Sequence, residues 1–171
     1  MNTKEIKQQL KENNPDKLYS VLVNCGKRYH LSVQEKNDLK NTIYNLCSHS
    51  DTEVRRIAIY VLCFYWGMEE YRDKAWEMYS KHEEFDEVRT TALSSWANTY
   101  RNKNSKEAMS ILYSILKNRN IHEYIRVTAY SCIFIISTLQ PKDWPNADID
   151  WEHFDEEIDW KLVEKLISTA Q

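Results

Sequence analysis

One short pattern, an apolar residue followed by Arg, two variable residues and Ala, occurs three times: Val54-Arg55-x-x-Ala58, Val88-Arg89-x-x-Ala92 and Ile125-Arg126-x-x-Ala129. The copies start 34 and then 37 residues apart. Periods in that range mark helical repeats, in which each unit is a pair of helices that buries its apolar face only by stacking on a neighbour. From Val54, the residues Ile57, Ala58, Val61, Leu62 and Tyr65 form the stripe of a helix packed along one side. The second copy gives Val88, Ala92, Ser95 and Trp96, and the third Ile125, Ala129, Cys132, Ile133 and Ile136. The shared Ala predicts close passage of another helix backbone. Asp51, Asp86 and Glu123 precede the three Arg residues by three or four positions, where an acid serves as N-terminal cap and charge partner.

The surrounding chain agrees with helices. Two Gly and three Pro in 171 residues leave little material for hairpins or phosphate-binding Gly loops, so an all-α fold is expected. Asn13-Asn14-Pro15 ends a first polar helix and starts a second, in which Leu18, Val21, Leu22 and Cys25 form a stripe that Gly26 is expected to end. Ser32-Val33-Gln34-Glu35 is a capping box. Further helices are expected over 69–81, 86–101, 105–117 and 121–139, and Asp159 is placed to cap a last one over 160–169. No apolar run is long enough for a membrane span, and the polar N-terminus is unlike a signal peptide, so a cytoplasmic protein is expected. Cys25, Cys47, Cys63 and Cys132 lack metal or redox spacing and read as reduced core residues.

The pattern resembles the HEAT-repeat family, whose second helix in each repeat commonly opens with an acid, then Val-Arg, then Ala and Leu. The resemblance covers roughly 32–139. It implies a right-handed α-α superhelix, here one domain with N-terminal capping helices over 1–31, about three repeats over 32–139 and a partly irregular cap over 140–171. The family's motif specifies architecture and leaves function open.

Charge is segregated along the chain: the net value is +4 over 101–140 and −6 over 141–171. The tail interleaves Asp148, Asp150, Asp155 and Glu156 with Trp144, Trp151, Phe154 and Trp160, with no helical period over 142–158. Its aromatic residues are expected to cover the open end of the last repeat, and its acids would steer a partner with a basic surface and repel phosphate backbones.

No catalytic constellation is evident, and neither a cofactor nor a metal is expected. The pairs His82-Glu83 and His122-Glu123 are similar to those that hold a di-iron centre in one HEAT-like hydroxylase family, but they precede the Arg signature and lack a third and fourth counterpart. Two functions follow from the resemblance. The first is a non-catalytic protein-protein interaction module, in its most concrete form an immunity-type inhibitor of a bacterial toxin. The second is an enzyme on nucleic acid of the alkylpurine DNA glycosylase type, with Trp96, Arg101, Lys103, Lys106, Lys117, Arg119 and Arg126 as a basic and aromatic strip; the pI near 6.0 and the acidic tail oppose it. For the first, the inward helices would present Arg56, Tyr60 and Phe64, beside columns containing Cys63, Ala97 and Asn98, and the tail would add Asp150 and Glu156.

Overall fold

A computed structural model describes residues 2–81, 85–145 and 153–171. Among them it is all-helical, with ten α-helices and no strand, and no helix is long and apolar enough to cross a membrane. The chain divides into two compact units, Met1–Thr99 and Tyr100–Gln171.

In the first unit, α1 (Thr3–Gln9), α2 (Pro15–Lys27) and α3 (Val33–Leu46) lead to α4 (Thr52–Ile59). Helix α4 runs directly into a π-helical segment, Tyr60–Tyr65, which is followed by a 3-10 turn, Glu69–Tyr71, by α5 (Arg72–Ser80) and by α6 (Asp86–Asn98). Local chemistry sets several starts: Asn14 accepts from Lys17 N ahead of Pro15, Ser32 and Glu35 complete the capping box, and Asp51 accepts from Val54 N. Gly26 does not end its helix: α2 continues to Lys27, and the glycine has a packing role described below. Asp86 is likewise the first residue of α6, with Phe85 as its N-cap, and its carboxylate lies 3.4 Å from Arg89. Helices α2 and α3 pack on α4, and α6 packs on α4, on α5 and on the π segment. Val54, Ile57, Ala58, Val61 and Leu62 are all buried, as are Val88, Ala92, Ser95 and Trp96, whereas Tyr65, expected in the first stripe, stays partly exposed.

In the second unit, α7 (Lys106–Lys117) pairs with α8 (Glu123–Ile136), and a 3-10 turn, Pro141–Asp143, precedes α9 (Phe154–Glu157) and α10 (Trp160–Thr169). Ile125, Ala129, Cys132, Ile133 and Ile136 are buried. The stretch read as lacking helical period contains the short α9, because Phe154 and Ile158 have an apolar surface to fold against. Phe154 meets Tyr130 edge to face, the Arg126 guanidinium lies 5.3 Å above the Phe154 ring and pairs with Asp155, and Tyr130 Oη accepts from Asp159 N at 3.2 Å. Trp144 is partly buried and donates its indole N–H to Leu139 O; Trp151 lies outside the described residues.

Two of the three signature arginines share one contact. Arg89 Nε donates to Tyr79 O at 3.1 Å and Arg126 Nε to Leu116 O at 2.9 Å, each to a carbonyl ten residues earlier and one residue short of the end of the preceding helix. Arg55 donates to the carbonyls of His49 and Ser50, both at 2.9 Å. Arg89 and Arg126 therefore close the C-terminal end of the helix before them, where carbonyls lack intrahelical donors and the dipole favours a cation, whereas Arg55 binds the loop between α3 and α4.

Candidate partner-binding site

Arg56, Tyr60 and Phe64 recur at every fourth position, so the first helical stretch of the signature carries them on one side. All three are partly exposed. Arg56 is held by Glu53 one turn earlier: its Nε lies 3.0 Å from Glu53 Oε1 and its Nη2 approaches Oε2 in a two-pronged pair. That hydrogen bond keeps the Glu53 carboxyl below its usual range and lifts the Arg56 guanidinium further, with a smaller contribution from the Tyr19 hydroxyl. Arg56 thus forms a locally neutral pair with Glu53. A shallow cavity of about 230 Å³ opens beside them, lined by Pro15, Asp16, Tyr19, Asp51 and Glu53.

Farther along, Tyr60 stacks on Phe64, with ring centroids 4.4 Å apart and an interplanar angle of 19°, and meets the edge of Tyr65 at 4.9 Å. The Asn98 side chain, on α6, donates from Nδ2 to Cys63 O at 2.9 Å and to Phe64 O at 3.0 Å. Tyr65 sits against Gly26: a Cβ at that position would lie 2.4 Å from Tyr65 Cδ2. Trp66 donates its indole N–H to Cys25 O at 3.2 Å. The π segment is therefore bound on one side to α6 and on the other to α2.

These contacts correct part of the surface expected from the repeat register. Cys63 and Ala97 are fully buried and Asn98 nearly so, because α6 packs on the π segment there, while Arg56, Tyr60 and Phe64 keep partial exposure. Sequence reasoning missed Asn98 and Gly26 as shaping residues. Their signal, an Asn and a Gly inside apolar helical stripes, was present without indicating its cause.

Of the tail acids assigned to binding, Asp150 lies outside the described residues, and Glu156 is exposed on α9 beside Asp155, whose carboxylate Arg126 holds below its usual range. The basic and aromatic strip is depleted: Trp96 is buried against Trp76, and Arg126 is 6% exposed and turned to Leu116 and Asp155. His122 accepts from Tyr124 N as the N-cap of α8, while His82 and Glu83 lie outside the described residues. Among the described residues no group of three or more His, Cys, Asp or Glu side chains is placed to hold a metal ion. All four cysteines are free and buried, and burial pushes Cys25, Cys47 and Cys63 up to about 12. No protein-family model, curated protein or solved structure matches the chain.

Proposed function

We propose that this chain is a non-catalytic protein-binding module of the HEAT-like, right-handed helical-repeat type, in its most concrete form an immunity-type inhibitor of a bacterial toxin. The equivalent carbonyl contacts of Arg89 and Arg126 support the repeat reading. The observation that carries the binding reading is the stacked, partly exposed pair Tyr60–Phe64 on a helix whose first turn supplies Glu53 and, at its cap, Asp51. Rigid aromatic rings supply binding area at little entropic cost, and the net charge of −6 over 141–171 favours a partner with a basic surface.

A photo-crosslinker at residue 60, compared with one at the exposed Tyr124 in the second unit, tests this. The expected result is one protein captured from the native host through position 60 alone, then lost from pull-downs by a folded Tyr60→Ala, Phe64→Ala variant. Undiminished recovery of that protein by the variant would move the binding surface elsewhere.

A further inference from the structure

Where α2 gives way to α3, a hollow of about 390 Å³ opens, and its lining includes Tyr29, His30, Ser32, Lys36, Tyr65 and Trp66. That volume lies in the range of small-molecule sites. No Asp or Glu lines it, and the net charge over residues 1–50 is +3.

Helix chemistry accounts for part of this lining and leaves three polar groups over. Ser32 and Glu35 close the start of α3 with the capping box, and the Thr3 hydroxyl donates to Glu35 Oε1 at 3.3 Å, so that carboxylate is committed. Lys36 stands in the first turn of the same helix, the end at which the dipole disfavours a cation. It is half-buried, and among the described residues its ammonium has neither an ion-pair nor a hydrogen-bond partner. The His30 ring and the Tyr29 hydroxyl are uncommitted in the same way. A cation set against the dipole without an acid, beside two open hydrogen-bonding groups, gains nothing from the fold; an anion in the hollow supplies what all three lack.

The aromatic part of the lining selects among anions. Trp66 is half-buried, its indole N–H is fixed on Cys25 O at 3.2 Å, and among the described residues it meets no other ring. Tyr65, by contrast, is engaged by Tyr60, Phe64 and Gly26. A bare inorganic anion leaves most of the hollow and the whole indole face unused. A flat ring that carries a phosphate uses both, because bases stack on aromatic faces while phosphate takes several donors.

We infer that this hollow is a site for a mononucleotide, its base lying on Trp66 and its phosphate held by Lys36, His30 and the Tyr29 hydroxyl. The inference goes beyond the protein-binding reading and does not depend on it.

Calorimetric titration with AMP, adenosine and inorganic phosphate separates ring from charge. The indole N–H line of Trp66 in proton–nitrogen NMR spectra, assigned by Trp66→Phe, reports the position. AMP is expected to bind saturably and to move that line, with adenosine and inorganic phosphate each about tenfold weaker. Lys36→Gln and His30→Gln are each expected to weaken AMP about tenfold, while Lys142→Gln, at an exposed position in the second unit, leaves it unchanged. His30 is exposed, so its variant decides the matter if Lys36→Gln does not fold. No heat from AMP together with an unmoved Trp66 line overturns the site. Folded variants that bind AMP as the wild type does place it elsewhere and overturn the assignment, and inorganic phosphate binding as tightly as AMP overturns the nucleotide.

Discussion

Arg126 reaches from the first turn of α8 to the carbonyl of Leu116 near the end of α7, with its Nε 2.9 Å from the oxygen. Arg89 makes the same bond to Tyr79 between α5 and α6. A guanidinium at that point satisfies a carbonyl that the helix itself leaves open and fixes the angle of the helix pair. Replacing Arg126 by Met is expected to destabilise the protein by about 2 kcal/mol, the scale of a hydrogen bond to a charged group together with a buried carbonyl left unpaired. Arg89→Met should behave alike. Chemical denaturation of both variants checks it, and indifference of either would deny the two residues a common role.

Ala58, Ala92 and Ala129 are each 0% exposed. A fully enclosed alanine leaves no room for a larger side chain unless its neighbours move. Leu at any of the three is expected to cost roughly 1 to 3 kcal/mol through overpacking, readable as a lower thermal midpoint. Three near-neutral replacements would invalidate the alignment of the repeats.

The Arg126 guanidinium holds Asp155 in its charged form, so its folded pKa is depressed. The stabilisation is present above the ordinary aspartate range and is lost as pH falls through that range toward the depressed folded value. Asp155→Asn is therefore expected to lower the melting temperature at neutral pH and to flatten its decline on acidification. Wild type and variant showing parallel pH profiles would assign that decline to other groups.

The thiols offer a separate check on packing. Cys25, Cys47 and Cys63 are pushed up to about 12 by burial, and Cys132 is 1% exposed. A thiolate must form before it attacks a disulfide reagent. The native protein is expected to react slowly with Ellman's reagent at mildly alkaline pH and to release all four thiols on denaturation. Rapid reaction in the folded state would show that these faces open readily.

Most helix caps were legible in the sequence, although Asp86 and Glu123, expected as caps, are the first residues of α6 and α8, behind Phe85 and His122. Asn14 before Pro15, Ser32 with Glu35, Asp51, Ser105 and Asp159 each act within three residues of themselves, so their effect is written locally. The buried stripes were legible for the same reason, since period alone sets which side of a helix is apolar. The π segment was not. Val61, Leu62 and Tyr65 continue an ordinary α stripe from Val54, and the change of register comes with Asn98, which lies 34 and 35 residues from the carbonyls it binds. Gly26 was misread as a terminator because its neighbour, Tyr65, is remote in the chain. The Arg contacts were half legible: the spacing placed the side chains at the edge of the stripe, and only the packed helix pair reveals the carbonyl each one meets.

The contact between Gly26 and Tyr65 also constrains how the sequence can drift. A side chain introduced at 26 collides with the ring at 65, and a smaller residue at 65 leaves an unfilled hollow beside α2. The two positions are therefore expected to covary among descendants of this chain, glycine with a ring or a larger residue with a smaller one. That linked pair distinguishes a lineage keeping the π turn from helical-repeat sequences that share only the Val-Arg-x-x-Ala signature.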